Sequence, residues 1–146
     1  MRIGSFATFG VLALLTAASA FGQQKARFDV PFEFRFLDTV MPAGQYDVKV
    51  AGNAGNMLSL ECYANRAHAH TMTYGISGSG NVPDEPRLVF NKYGDTYFLS
   101  EVWTTEQSQG AGLSKSKAER EVARTIPTVE RVILASGTRQ AVVSER

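Results

Sequence analysis

The side chains best suited to chemistry in this sequence are two histidines and a cysteine that lie close together in the chain. His68 and His70 are two residues apart, and Cys62, the only cysteine, precedes them. On a β-strand this spacing places both imidazoles on one face, and a cysteine on the adjacent strand would complete a set that zinc or copper sites use. The competing interpretation is a pair of imidazoles on a solvent-exposed strand face. We favour it because no carboxylate has a spacing that would complete the set, and we predict neither a metal nor a cofactor.

Other catalytic arrangements have less support. No serine lies in a nucleophile-elbow sequence, and Cys62, in phase with Leu58 and Leu60, has the pattern of a buried apolar side chain rather than of a nucleophile. Glu101 and Asp95 are carboxylates beside aromatic residues, an arrangement that glycoside hydrolases use, but most small β domains contain such a pair. We therefore predict that the protein is not an enzyme.

Aromatic residues provide the clearest indication of a binding surface. Those that could form a platform for a sugar or a peptide are Tyr74, Tyr93, Tyr97 and Trp103. Such residues more often pack in a core or as cross-strand pairs, and we predict that Trp103 is buried. The candidate binding surface therefore consists of Tyr93, Asp95, Tyr97 and Glu101.

These residues belong to the densest apolar and aromatic block outside the N-terminus, LVFNKYGDTYFLSEVW (88–103). We predict a hairpin about Tyr93-Gly94-Asp95, with Gly94 in the left-handed conformation and a bulge at the turn. Its second arm is apolar on both faces, with Tyr97, Leu99 and Trp103 on one face and Phe98 and Val102 on the other. Apolar residues on both faces indicate a central strand that is covered on two sides.

The residues before this hairpin alternate between apolar and polar side chains, as half-buried strands do. We predict strands over residues 25–37, 45–51, 57–62 and 67–74. The first should lie at a sheet edge or contain a bulge, because Pro31 cannot donate a hydrogen bond to a neighbouring strand. Residues 75–86 contain few apolar side chains and are predicted to form a surface loop.

The residues after the hairpin contain the only predicted helix, at about residues 114–124. Ser116, followed three residues later by Glu119, is typical of a capping box. The apolar stripe of this helix is thin, so we expect it to lie on the surface and to be weakly docked. In the tail, about residues 125–146, segments 129–135 and 140–144 could form a last hairpin.

The fold class predicted from these elements is mainly β. About seven or eight antiparallel strands would form a β-sandwich or a flattened β-barrel, with one short α-helix in the C-terminal half. The length of 146 residues suits one domain, which we place at residues 23–146.

Residues 1–22 have the pattern of a signal peptide. Arg2 is followed by an apolar run, and small residues at 18–20 suit cleavage after Ala20 or, as the second choice, Gly22. The chain has 15 Lys and Arg against 14 Asp and Glu, so removal of Arg2 leaves a neutral domain. We therefore predict a secreted or periplasmic protein with no nucleic-acid partner and no transmembrane anchor after cleavage.

Four segments together resemble a family of uncharacterised small secreted bacterial proteins of the acidobacterial type. They are VPFEF (30–34), MPAGQYDV (41–48), RLVFNKYGDTYFLSEVW (87–103) and LSKSKAERE (113–121). The family motifs are V-P-F-x-F, L-P-A-G-x-Y and L-V-F-x-x-Y-G-x-x-Y-F-L, from which the chain departs visibly only at Met41. The resemblance covers about residues 25–124. It implies a secreted, mainly β domain and supplies no catalytic residues.

Three functions remain open from the sequence. The favoured one is a non-catalytic secreted or periplasmic domain that binds a small ligand or an envelope component. A lipocalin-like carrier of a small apolar ligand is an alternative if the phenylalanines of the first strand line a cavity. The second alternative is a metal-dependent enzyme that uses His68 and His70.

Overall fold

The structure is a computed structural model that describes residues 24–51, 56–78, 84–104, 109–136 and 140–143. The predicted signal peptide lies outside these ranges. Within them the chain forms strands and one helix, named in chain order. They are β1 (Gln24–Val30), β2 (Phe34–Phe36), β3 (Thr39–Met41), β4 (Gly44–Ala51), β5 (Met57–Cys62), β6 (His68–Met72), β7 (Tyr74–Ser77), β8 (Arg87–Tyr93), β9 (Thr96–Trp103), β10 (Gln109–Gly112), α1 (Lys117–Thr125), β11 (Glu130–Ala135) and β12 (Gln140–Val143).

The strands form two sheets that face each other. The four-stranded sheet has the order β1-β4-β5-β6, and the long sheet has the order β12-β11-β8-β9-β10-β7, with β2 beside β9 and β3 beside β2. The pairs are antiparallel except for a parallel contact between β2 and β9. Because the sheets do not close into a barrel, the fold is a β-sandwich with one short helix, the first of the two predicted architectures.

The core lies between the two sheets and is filled by apolar side chains from both. Its largest fully buried residues include Phe28, Tyr46, Leu60, Phe34 and Phe90. The ring of Phe90 contacts Phe34 edge to face, with centroids 5.3 Å apart, and makes a similar contact with Phe32 at 5.1 Å. The apolar face of residues 28–36 therefore packs against the hairpin.

Two of the predicted strands are divided between the sheets. Residues 25–37 form β1 in the four-stranded sheet and β2 in the long sheet, and the break begins at Pro31, which lacks the N–H that a ladder needs. Residues 67–74 likewise divide at Thr73 into β6 and β7. The strand count is consequently higher than predicted, although Phe28, Phe34 and Phe36 are all buried in one core.

Two segments outside the predicted strands also form strands. Part of the expected loop 75–86 belongs to β7, which pairs with β10 at one edge of the long sheet. A strand with the sequence QGAG lacks the apolar alternation that predicts strands. Its pairing with β7 and β9 is a tertiary effect that local sequence does not reveal.

An irregularity in the hairpin reverses the faces expected for the end of β9. The register of β8 with β9 shifts between Val89 and Phe90, which leaves Ser100 as an extra residue in β9. Such a β-bulge turns the following side chains to the opposite face. Val102 therefore joins Leu99 in the core and Trp103 lies on the outer face of the long sheet, whereas simple alternation predicted that Trp103 shares the face of Leu99.

The turn of the hairpin is tighter than predicted. Tyr93 pairs directly with Thr96, so the loop consists of Gly94 and Asp95. Gly94 has the expected left-handed conformation, with φ of 58°, where a residue with a Cβ is strained. The bulge predicted at the turn lies instead at Ser100. The central position of β8 and β9 in the long sheet is confirmed.

The helix α1 begins after Ser116, whose hydroxyl accepts a hydrogen bond from the Glu119 amide at 3.1 Å. This contact is one half of the predicted capping box. The Glu119 carboxylate is 4% exposed and turns to the sheet instead, where it accepts hydrogen bonds from Asn91 Nδ2 at 2.9 Å and from the Tyr93 hydroxyl at 3.2 Å. A buried polar contact thus attaches the helix to the outer face of the long sheet.

The last two strands make much of the predicted tail an integral part of the sandwich. β11 pairs with β8, and β12 pairs with β11, so the predicted last hairpin is confirmed. Val132 and Leu134 are at most 2% exposed in the core. Residues 144–146 lie outside the described ranges.

Candidate functional site

The surface predicted on the hairpin does not assemble as one surface. Tyr93 is 2% exposed and donates its hydroxyl hydrogen to Glu119; its burial, and then the negative charge of Glu119, raise the pKa of Tyr93. Asp95 is exposed at the turn. Tyr97 lies on the core side and stacks on Phe32, with ring centroids 3.9 Å apart. Only Asp95 and Tyr97 meet, in a pocket of about 220 Å³ beside residues 32–35.

The fourth predicted residue, Glu101, lies on the outer face of the long sheet. Its carboxylate accepts a hydrogen bond from Trp103 Nε1 at 2.8 Å and forms an ion pair with Arg131 at 2.6 Å. The Trp103 ring covers Gly110, where an added Cβ would lie 2.7 Å from ring atoms. Tyr74, 53% exposed, lies over Gly112, two residues along β10 from Gly110. Because Tyr93 is buried and Tyr97 packs against the core, the four aromatic residues do not form one platform. Glu101 and Trp103 stabilise the sheet.

The predicted histidine and cysteine candidates are divided between the two faces of the four-stranded sheet. His68 and His70 are both exposed on the outer face of β6, as their spacing predicts. Cys62 is 0% exposed in the core. The sheet therefore separates the thiol from the imidazoles, and the set of His68, His70 and Cys62 cannot bind one metal ion or act as a Cys-His catalytic pair.

The outer face of the four-stranded sheet, called here the open face, carries two rows of polar side chains that cross all four strands. The register of the strands aligns one row as Lys25, Lys49, Ser59 and His70. It aligns the neighbouring row as Arg27, Asp47, Glu61 and His68. Directly opposed side chains on one face have Cβ atoms about 5 Å apart, so each row forms a continuous strip of neighbouring polar groups.

The centre of the open face is the carboxylate of Asp47. Its side chain is 6% exposed, and it forms ion pairs with Lys25 at 2.7 Å and with Arg27 at 3.2 Å. The Tyr63 hydroxyl donates to Asp47 at 3.2 Å, and Tyr63 itself lies under the Arg27 guanidinium, 4.6 Å from ring centroid to Cζ. Two cations therefore neutralise one carboxylate, and the side chains that do so cover it.

These contacts determine the ionisation of Asp47. Burial opposes the charged form, but the hydrogen bonds from Lys25 and Arg27 and the charge of Lys25 outweigh it and hold the pKa of Asp47 below its ordinary value. The hydrogen bond to Asp47 raises the pKa of Lys25 in turn. Both groups are therefore fully charged at neutral pH, and their charges compensate each other.

Replacement of Asp47 by asparagine is expected to lower the free energy of unfolding by about 2 kcal/mol at pH 7, because charge-assisted hydrogen bonds are lost. A folded-state pKa below the unfolded value of about 3.9 means that this stability is present above that value and disappears as the pH falls through the folded-state pKa. Urea unfolding at several pH values should show a constant difference from wild type at neutral pH that narrows below about pH 4.

Asp29→Asn is the matched control, since Asp29 is an exposed carboxylate on the segment that carries Lys25 and Arg27. It should change stability by less than about 0.5 kcal/mol. A difference between Asp47→Asn and wild type that stays constant down to pH 2 would contradict the lowered pKa.

In the row of Lys25, Lys49, Ser59 and His70, Lys25 is the only described side chain that has an ion pair. Within the described ranges, the side chains of Lys49, Ser59 and His70 have neither a hydrogen bond nor an ion pair. They line one pocket of about 270 Å³ on the open face, together with Asp47, Glu61 and His68. A second pocket, of about 320 Å³, adjoins it at Asp47 and Glu61. The open face thus combines hydrogen-bond donors with accessible space.

The predicted site residues do not include Asp47 and Lys49, although the apolar and polar alternation of residues 45–51 puts both on the polar face of their strand. The sequence pattern that could have indicated this site is the alternation of Lys25 and Arg27 with apolar residues, which puts two cations on the same outer face. Only the register shows that these cations lie opposite the β4 residues Asp47 and Lys49. A single sequence does not fix that register.

Comparisons with known proteins do not assign a function to this site. No protein-family model, no curated protein and no solved structure matches the chain. In the part of the chain that the structure describes, no helix has the length and apolar character to cross a membrane.

Proposed function

We propose that the chain is a non-catalytic binding domain, secreted or periplasmic, that contacts a component of the bacterial cell envelope through its open face. This proposal rests on a difference between the outer faces of the two sheets. On the outer face of the long sheet, Val89, Phe98 and Trp103 are at most 5% exposed. The open face instead presents polar and ionic groups to solvent, and such groups orient and select ligands in binding sites.

The sequence supports the location of this domain outside the cytoplasm. Residues 1–22 have the charge, apolar run and small residues of a signal peptide. The resemblance to small secreted bacterial proteins of the acidobacterial type points to the same compartment. A domain held by its core, with a single buried cysteine, needs no disulfide to remain folded there.

Binding is favoured over catalysis by the positions of the reactive groups. Cys62 is in the core, on the other side of the sheet from His68 and His70. Among the described residues, no group of three or more His, Cys, Asp or Glu side chains is arranged to hold a metal ion. The packing of Phe32 and Phe34 on Phe90 likewise favours a surface site over an apolar ligand in the interior.

Sedimentation with an isolated bacterial envelope fraction tests the proposal. Ser59 lies at the middle of the open face, and Ser59→Trp would block that face sterically whatever the chemistry of the ligand. Wild type should sediment with the envelope, and Ser59→Trp should lose at least about tenfold in affinity, or about 1.4 kcal/mol. Ser114→Trp, at an exposed serine before α1, should bind like wild type.

The stability of both variants has to be compared by thermal unfolding, because tryptophan is well tolerated in strands but a misfolded variant would also lose binding. The proposal is overturned if wild type fails to sediment with the envelope. It is equally overturned if a folded Ser59→Trp variant sediments as well as wild type.

A further inference from the structure

We infer that Lys49, Ser59 and His70 form a binding site for an oxyanion, of the phosphate monoester class, on the ligand of the open face. The inference rests on the proposed function and names the chemical group that this face would recognise. Its starting point is the row of residues that crosses the four strands at Lys25, Lys49, Ser59 and His70. This row contains no carboxylate.

Among the described residues, three of the four side chains in this row, Lys49, Ser59 and His70, have no hydrogen-bond or ion-pair partner. Lys25 and Lys49 are directly opposed in the register, an arrangement of like charges that destabilises a sheet. Lys25 avoids the repulsion by forming its ion pair with Asp47 at 2.7 Å. Lys49 has no ion pair with any described residue, so an ammonium group is left beside the hydroxyl of Ser59 and the imidazole of His70.

The spacing of these groups suits a small anion with several acceptor oxygens. Opposed side chains stand about 5 Å apart on one face, and donors about 2.8 Å from an acceptor can converge from such positions on one tetrahedral ion. Lysine offers three donors, and serine and histidine offer one each. The pocket of about 270 Å³ that the three residues line is large enough for a phosphate group.

Charge on the open face favours an anion over a cation. The two rows contain the cations Lys25, Arg27 and Lys49 and the carboxylates Asp47 and Glu61, which gives a net charge of +1 with neutral imidazoles. Asp47 is neutralised by its two ion pairs. The unpaired ammonium of Lys49 would repel a metal ion, whereas an oxyanion would gain charge-assisted hydrogen bonds from it.

Titration with inorganic phosphate, followed in ¹⁵N–¹H spectra of the whole domain, tests the site. Phosphate should shift the amides of Lys49, Ser59 and His70. Lys49→Gln should weaken binding by about tenfold, the loss expected for one charge-assisted hydrogen bond. Lys117→Gln, which removes an exposed lysine of α1, should leave the affinity unchanged. Equal binding by both variants would overturn the inference.

A second variant separates recognition of the anion from a change in folding. Glu61→Gln removes the pocket carboxylate that forms no ion pair with any described residue, so phosphate should bind about threefold more tightly. A damaged domain would not gain affinity. Unchanged or weaker binding by Glu61→Gln would contradict the electrostatic basis of the site.

The source of the oxyanion is distinguished by two further probes. Glucose 6-phosphate, compared with glucose, represents a soluble sugar phosphate, and phosphatidylcholine vesicles with and without phosphatidic acid represent a lipid headgroup. Binding that depends on the phosphate group and on Lys49 in either pair supports the inference and identifies the source. Equal affinity for glucose and glucose 6-phosphate, with no preference among vesicles, overturns it.

The outcomes also separate this inference from the proposed function. If Ser59→Trp abolishes envelope binding but no phosphate probe binds, the open face recognises another group, and only the oxyanion inference fails. If Ser59→Trp binds the envelope like wild type, the proposed function fails as well.

Discussion

Phe90→Ala is expected to lower the free energy of unfolding by about 4 kcal/mol, within the usual range for loss of a buried phenylalanine. Phe90 is 0% exposed, and its ring lies between Phe32 and Phe34, with centroids 5.1 and 5.3 Å away. Removal of the ring would leave a cavity where the first apolar segment meets the hairpin. Urea unfolding followed by circular dichroism measures the loss.

Two control substitutions test whether this loss of stability comes from the core. Phe90→Leu retains most of the apolar volume and should cost less than half as much as Phe90→Ala. Val40→Ala, at a side chain that is 47% exposed, should change stability by less than about 0.5 kcal/mol. If Phe90→Ala costs less than about 1 kcal/mol, the hairpin is not the structural centre of the sandwich.

Trp103→Ala is expected to be similarly severe, at about 4 kcal/mol, although Trp103 lies outside the main core. The indole is 5% exposed, covers Gly110, and donates its N–H to Glu101 at 2.8 Å. Its removal would uncover the glycine strand β10 and take one partner from Glu101. Unfolding has to be followed by circular dichroism, because this variant lacks the only tryptophan.

A double-mutant cycle with Gly110 tests the contact itself. In wild type, a Cβ at position 110 would lie 2.7 Å from the Trp103 ring, and Gly110→Ala should cost about 1–3 kcal/mol through overpacking. With alanine at position 103 the same change should cost less. Part of the cost should remain, because Ile76 Cγ1 would lie 2.9 Å away. Simple additivity of the two changes would show that the ring does not rest on Gly110.

Local sequence patterns predicted most of the apolar core. Alternation placed Phe28, Phe34 and Leu60 on buried faces, and all of them belong to the core of the sandwich. Period-two patterns succeed because burial of one face decides which residues a strand can tolerate there. The mainly β class followed directly from them.

The errors arose where tertiary structure overrides the local pattern. The continuous alternation of residues 25–37 does not show that the chain changes sheets after Val30. One extra residue, Ser100, exchanges the faces of Val102 and Trp103. The strand β10 has almost no apolar side chains of its own and is stabilised by the rings of other strands that lie on its glycines.

The candidate site was harder to predict than the fold, because it depends on register. The aromatic hairpin was predicted to carry a binding surface, but its tyrosines and Trp103 mostly pack against other residues of the domain. The histidine spacing correctly placed His68 and His70 on one face. Their neighbours on that face, Ser59 and Glu61, come from another strand, and no pattern within one segment brings those residues together.

The most direct test of the central claim, that the open face binds the ligand while the hairpin is the scaffold, is an amide chemical-shift map. Soluble fragments of the envelope fraction would be titrated into the ¹⁵N-labelled domain. The predicted result is a set of shifted resonances confined to β4, β5 and β6, including Lys49, Ser59 and His70. Shifts centred on Asp95 and Tyr97, or no shift at saturating fragment concentration, would contradict the claim.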